Sequence, residues 1–280
     1  MLFHIATKIV HNMNSLRAYP GTQAVQRAVR LLKAVAEAGE PTLADLVRAL
    51  GLNRTTAYRL LTVLEAEGLL ERGAGDGYRL GPELLAFGSR ALGAQDLREA
   101  ARGELVALAR QTGETAHLEV RVGAETLILD EATGSHRMGT TPSLGTRWPA
   151  HATSTGKVLL AALDDDDLAE LLKSPLAALT SRTITDPVAL RRELRRVRDR
   201  GYATGIEELE PGFMAVAVPV LARDGHVVAA VGIGGPRVRL DPERLVAIAK
   251  TLPSHATRIA ERLGWKPPVR ATNRRRGVRR

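Results

Sequence analysis

The run PTLADLVRALGLNRTTAYRLLTVLEAEGLL, from Pro41 to Leu70, constrains the fold more than any other part of the chain. Leu43, Leu46, Val47 and Leu50 recur at helical spacing behind Thr42, a residue type that caps helix starts. Gly51 stops that helix, and only Leu52 and Asn53 precede a second stripe at Ala57, Leu60, Leu61 and Leu64, which ends at Gly68. Two short helices joined by so tight a corner form a helix-turn-helix. An earlier stripe, Val25, Ala28, Val29, Leu32 and Val35, predicts the third helix that such a core needs.

The second helix carries the chemistry. Its apolar stripe leaves Thr55, Tyr58, Arg59 and Thr62 on the opposite face, with Asn53, Arg54 and Thr56 at its start. Such side chains hydrogen-bond phosphates or base edges, and a helix N-terminus attracts phosphate. Leu69–Arg72, the turn Gly73-Ala74-Gly75-Asp76-Gly77 and Tyr78–Leu80 then predict a hairpin, a wing whose Arg72 and Arg79 are placed to meet the DNA backbone. A plain helical hairpin with a solvated face would share the stripes. The short corner, the lack of acids from Asn53 to Val63 and the Gly-rich wing favour DNA.

Net charge must be located before it supports this. The chain is formally +9, but seven basic residues and no acid fall from Lys266 onward, so the rest is nearly neutral. That tail reads as a solvated disordered arm, with a grip on phosphates as the alternative. The absence of cysteine removes disulfides and thiolate chemistry and fits a reducing cytoplasm. No apolar run is long enough to span a membrane. Met1–Asn14 lacks the features of a signal peptide and is expected to be a flexible arm, with Met13 an alternative start.

Beyond Pro82, a good first helical residue, a connecting helix is expected, and then a domain of mixed helices and strands. Ala116, Leu118, Val120 and Val122 alternate at strand period and pair, across Gly123-Ala124-Glu125, with Thr126–Leu129. Ala215–Leu221 and Val227–Ile233 make a second hairpin around Ala222–His226. Helical stripes run through Leu97, Ala101, Leu105 and Leu108, through Leu190, Leu194 and Val197, and through Leu245, Ile248, Ala249, Leu252, Ile259 and Leu263, with Pro253 a candidate break. Hairpins imply antiparallel pairing, so the fold class is α+β.

Three segments of this domain are candidate sites. His151-Ala152-Thr153-Ser154-Thr155-Gly156-Lys157 precedes an apolar helix at Val158–Leu163, and its first amides suit an anion such as a carboxylate; an unliganded helix cap would look the same. Gly156-Lys157 lacks the leading glycine of a phosphate loop, which disfavours ATP. Val231-Gly232-Ile233-Gly234-Gly235-Pro236 reads as a bulge or as a place where a ligand approaches the backbone. The loop from Gly205 to Phe213 holds three glutamates and reads as solvated rather than metal-binding. The histidines are scattered without zinc-ligand spacing, and no nucleophile has a fitted base, so no metal, cofactor or enzymatic activity is expected.

Five motifs in order, the helix-turn-helix run, GYRLGPELLAFG, HATSTGKVLLAAL, RGYATGIEELEPGFMAVAVPV and AAVGIGGP, resemble the isocitrate-lyase-regulator (IclR) family of transcription regulators over roughly Thr22–Trp265. The resemblance implies a flexible arm over 1–20, a winged helix-turn-helix over 21–81, a linker helix over 82–95, a GAF-like effector domain over 96–265 and a basic tail over 266–280. It further implies homodimers or homotetramers that bind an operator in double-stranded DNA, as repressor or activator. A small organic or aromatic acid would control them. Carried over residue by residue, the effector pocket comprises Ser154, Thr155, Gly205, Phe213, Ala215, Gly232 and Gly234, with Arg137 and Met138 beside it. The family often has Asp at the position of Gly205 and Ser at those of Gly232 and Gly234, so a larger or more apolar ligand than a two-carbon acid is expected. The rivals are an enzyme built on the C-terminal domain and a nonspecific nucleic-acid binder driven by the tail.

Overall fold

The computed structural model describes residues 22–84, 87, 94–136 and 144–266. The arm over 1–20, the tail beyond Lys266 and much of the connecting helix expected over 82–95 lie outside these residues. The chain divides into two compact units, Met1–Leu92 and Gly93–Arg280.

The first unit packs helices α1 (Gln23–Ala38), α2 (Leu43–Leu50) and α3 (Arg54–Ala66) beside a hairpin of β1 (Leu70–Arg72) and β2 (Tyr78–Leu80). Thr42 caps α2 in a reciprocal capping box with Asp45, and Gly51 ends it in the left-handed conformation at φ 60°. Leu31, Val35, Leu46, Leu61, Leu64, Leu70 and Tyr78 form the core. One expectation fails here: Val25 and Val29 are 66% and 43% exposed. The face of α1 that meets α2 and α3 is set by Leu31 and Val35, which rotates both valines outward. The wing is anchored to the start of α2, since the Tyr78 amide donates to the Pro41 carbonyl at 2.9 Å. A side chain on Gly77 would stand 2.6 Å from the Glu40 carbonyl oxygen, so the contact demands glycine.

The second unit is a six-stranded antiparallel sheet in the order β5-β4-β3-β8-β7-β6, with helices on both faces. Its strands are β3 (Thr115–Val122), β4 (Glu125–Ala132), β5 (Arg147–Pro149), β6 (Ala203–Ile206), β7 (Phe213–Leu221) and β8 (Val227–Pro236). Strand alternation sorts large from small. Leu118, Val216, Val218, Val220, Val231 and Ile233 pack against α4 (Ala94–Thr112) and the long C-terminal helix α8 (Pro242–Arg262). Ala203, Ala217 and Ala230 face α5 (Ser154–Ala161), which α7 (Pro187–Arg200) covers from outside with Leu190, Leu194 and Val197. Small residues let α5 settle onto the sheet. α6 (Asp165–Leu171), β5 and β6 are short elements that the sequence pattern did not separate from loops.

Pro253 does not break α8. Leu252, His255, Ala256 and Ile259 are buried on either side of it, and Thr251 and Ser254 hydroxyls donate to the carbonyls of Ile248 and Thr251. Packing thus outweighs the lost backbone bond. Between α4 and α8, buried Glu104 accepts hydrogen bonds from Arg258 (2.9 Å), Arg262 (2.9 Å) and His255 Nδ1 (2.7 Å). Burial alone would raise its pKa, but the bonds from Arg258 and His255 outweigh it and hold the carboxyl below the ordinary value.

A second polar clasp holds α5. Lys157, 1% exposed, places its Nζ 2.5 Å from Glu208 Oε1 in the loop between β6 and β7. Thr180 and Thr183 hydroxyls donate to the carbonyls of Glu207 and Glu208, each at 2.7 Å, and so fix that loop. Gly156 lets the helix pass directly over Ala150, whose carbonyl a Cβ would overlap.

Two outcomes are expected. Because Glu104 titrates lower when folded, its contribution is complete above the unfolded value of 4.5 and fades as pH falls through the folded one. Urea titrations should therefore show the stability gap between wild type and Glu104→Gln narrowing from about pH 6 to about pH 3. Lys157→Met leaves Glu208 buried and uncompensated and should cost about 3–5 kcal/mol, whereas Lys157→Met with Glu208→Leu should recover most of it in the same titration.

Candidate functional site

The first candidate surface is the outer face of α3. Asn53, Arg54, Thr55, Tyr58, Arg59 and Thr62 are exposed and Thr56 is half-buried, while Ala57, Leu61 and Leu64 point into the core. Tyr58 is 52% exposed, unusual for an aromatic ring without a partner. The Asn53 side-chain oxygen accepts from the Thr55 amide at 2.9 Å, so it caps the helix while its NH2 group remains a donor. The Thr62 hydroxyl donates to the Tyr58 carbonyl at 2.9 Å and keeps its acceptor capacity. Among the described residues, neither Arg54 nor Arg59 is ion-paired, so both guanidinium groups are open to an incoming anion.

The wing arginines sit differently. Arg72 Nε is 3.5 Å from Glu65, and its guanidinium lies 4.3 Å from the centroid of the Tyr78 ring. Arg79 Nε lies 2.8 Å from Glu71 across the hairpin. Both brace the wing, and a phosphate would compete with those carboxylates. Gly75 (φ 70°) and Asp76 (φ 62°) form the wing tip in left-handed conformation.

The second candidate is the seam where the start of α5 packs on the sheet. Strand register aligns two rows of residues across the sheet. One runs Thr115, Gly234, Ala215, Gly205, and the other runs Glu131, His117, Gly232, Ala217, Ala203. The first turn of α5 roofs both rows. A Cβ on Gly205 would lie 3.4 Å from the Ser154 amide nitrogen, and one on Gly232 would lie 3.2 Å from the Thr155 methyl. Phe213 lays its ring on Gly234, where a Cβ would come within 2.6 Å of Cζ. Ser154, Thr155, Gly205, Phe213, Ala215, Gly232 and Gly234 therefore converge, although they come from four separate stretches of sequence. Arg137 and Met138 lie outside the described residues.

The polar end of this seam was not singled out from sequence. Thr155 donates to Glu119 Oε2 at 2.7 Å, and His117, 8% exposed, stands beside them. Burial holds the His117 imidazole below the ordinary histidine value, against the pull of Glu119 and Glu131. The signal was present in β3, where His117 and Glu119 alternate with Ala116, Leu118 and Val120. What covers that polar face could not be read from the alternation.

The loop expected to be solvated is instead ion-paired. Glu208 is 7% exposed against Lys157. Glu207 accepts from the Gly212 amide and from Arg237, each at 2.9 Å. The Gly212 amide foremost, with Arg237 and Arg182, holds its carboxyl below the ordinary range. Of the three glutamates, Glu210 alone is exposed. No group of three or more histidine, aspartate or glutamate side chains suited to a metal occurs among the described residues. No helix among them is long and apolar enough to cross a membrane.

Comparison with known proteins meets this geometry at both ends. Residues 24–74 match the IclR helix-turn-helix domain, and residues 89–261 match the bacterial transcriptional regulator IclR C-terminal domain. The chain is 33% identical to the HTH-type transcriptional regulator XynR of Escherichia coli, over 88% of this chain and 99% of that protein. It is 37% identical to the glycerol operon regulatory protein of Streptomyces griseus, over 79% and 87%. An IclR homologue from Microbacterium hydrocarbonoxydans, solved in complex with 4-hydroxybenzoate, superposes with a TM-score of 0.75 at 29% identity, covering 86% of this chain and 99% of that one. With an exposed polar helix in one unit and a sheet roofed by α5 in the other, the chain belongs to the IclR family of transcriptional regulators, built from a DNA-binding helix-turn-helix domain and a C-terminal effector-binding domain.

Proposed function

We propose that this regulator reads its operator through the outer face of α3, and that a carboxylate-bearing effector seated under α5 sets its affinity. One observation carries the first half: Arg54, Thr55, Tyr58, Arg59 and Thr62 stand exposed on one helix, free of neighbouring acids. That helix enters the major groove, with Asn53, Arg54 and Thr56 at its N-terminus near phosphates and Arg59 facing base edges. Arg72 and Arg79 reach the backbone from the wing by exchanging Glu65 and Glu71 for phosphate. Homodimers or homotetramers present paired helices to two half-sites, in the cytoplasm, where operator DNA is found.

The effector binds over Gly205, Ala215, Gly232 and Gly234 and beneath Ser154 and Thr155, displacing the Phe213 ring from Gly234, with Arg137 and Met138 beside it. The relative complexed with 4-hydroxybenzoate supports an aromatic or other organic acid at this place. The two small side-chain-free positions, Gly232 and Gly234, make room for more than two carbons. An effector that prefers one arrangement of subunits shifts the spacing of the recognition helices, and DNA shifts effector affinity by the same factor.

In a gel-shift titration with operator DNA, Arg59→Ala should weaken specific binding by about 1–3 kcal/mol and relax sequence preference at one position. Unchanged affinity and preference would remove Arg59 from the interface. Deleting residues 266–280 should preserve operator preference; a nonspecific binder driven by its tail would lose nearly all affinity. In a thermal-shift screen, aromatic acids should stabilise the chain, by about 2.7 kcal/mol at a concentration of 100 times Kd. Stabilisation by glyoxylate or pyruvate alone would contradict the size of the proposed pocket.

A further inference from the structure

The outer helices of the second unit carry positive charge that the fold does not use. Helix α7 holds Arg191, Arg192, Arg195, Arg196, Arg198 and Arg200 against only Glu193 and Asp199. Glu193 pairs with Arg196 and Arg200. Among the described residues, Arg191, Arg192 and Arg195 make no ion pair. Leu190, Leu194 and Val197 already dock this helix on α5. Like charges four residues apart, as at Arg191 and Arg195, destabilise a helix, so packing gives no reason for them.

Their positions converge. Arg191, Arg195 and Arg198 share one face of α7 and line a cleft of about 90 Å³ between α7 and α6. Buried Leu168 and Leu194 form its floor. Arg198 is fixed in advance, since its Nε and Nη2 donate to the Ala161 and Leu163 carbonyls at 2.5 and 3.0 Å. Its Nη1 has no hydrogen bond among the described residues. A guanidinium already held in place loses little freedom when an oxyanion arrives. Of the four aspartates from Asp164 to Asp167, Asp165 alone lines the cleft, and it is ion-paired with none of these arginines.

We propose that this cleft binds a phosphate that keeps a proton, either free hydrogenphosphate or a phosphomonoester, gripped by Arg191, Arg195 and Arg198 and donating its hydroxyl to Asp165. Guanidinium forks match the geometry of phosphate oxygens. The carboxylate among them selects within that class. It repels an oxyanion without a hydrogen and accepts a bond from one that has it. Sulfate and a phosphodiester carry no such hydrogen, and a carboxylate offers only two oxygens to three arginines. The site lies on the α7 side of α5, away from the sheet, and does not depend on the effector reading above.

Calorimetric titration of the full-length chain at constant ionic strength tests this with inorganic phosphate, methyl phosphate, dimethyl phosphate and sulfate. At about pH 6 a monoester still keeps its proton in a good part of the molecules. Phosphate or methyl phosphate should then fill one saturable site about tenfold more tightly than sulfate or dimethyl phosphate. The tighter of the first two tells whether the occupant is the free ion or an ester, and either result upholds the site. Arg195→Gln, on an exposed position, should weaken phosphate about tenfold, and Asp165→Asn should bring the phosphate-to-sulfate ratio to about one. Both variants keep α3 and the basic tail, so the difference belongs to the cleft. No saturable binding, sulfate as tight as phosphate, or unchanged affinity in Arg195→Gln overturns the proposal. Operator binding should be the same in wild type and Arg195→Gln; its loss in the variant would make the cleft a contact for the DNA backbone and overturn the small-phosphate assignment.

Discussion

Much of the C-terminal domain depends on a lysine and a glutamate that meet out of contact with water. All eight residues of α5 are buried, and the helix tolerates Lys157 in that position only because Glu208 reaches it from the β6–β7 loop. An unpaired ammonium there would be prohibitive, and a pair in such surroundings brings little net stability of its own. Its value is register. It fixes the start of α5 against the loop that joins Gly205 of β6 to Phe213 of β7, and thereby sets the height of α5 above the sheet.

Small side chains do the complementary work below. Ala203, Ala217 and Ala230 bring α5 close to the sheet, and Gly156 lets it cross Ala150. Gly205, Gly232 and Gly234 then leave a floor with almost no side-chain atoms. Phe213 fills part of that space. The large residues of the same strands face the opposite way, where α4 and α8 bury them and where Glu104 ties the two helices together. Large residues thus cover one face of the sheet and small ones the other.

Legibility differed between the units for a physical reason. In the helix-turn-helix, contacting residues lie close in sequence, so periodicity and Gly51 suffice to place α2 and α3. The rotation of α1 was misjudged because Val25 and Val29 share the stripe spacing, while only packing against α2 and α3 decides which residues turn inward. Both hairpins were legible from alternation and turn residues. β5 and β6 were not, being three and four residues long and lacking a period to detect. Pro253 was a reasonable break by local rules, and buried neighbours on both sides overrode it.

The amino-acid order by itself determined the local elements: where α2 and α3 start and stop, which side chains occupy the outer face of α3, and that two hairpins build the sheet. These follow from interactions among residues a few positions apart. The tertiary structure alone decided that Glu208 is buried against Lys157, and that His117 and Glu119 of β3 come beside Thr155 and Gly234. Each of those facts is a contact between distant segments, and the sheet register and helix docking that bring them together are set by the packing of the whole domain.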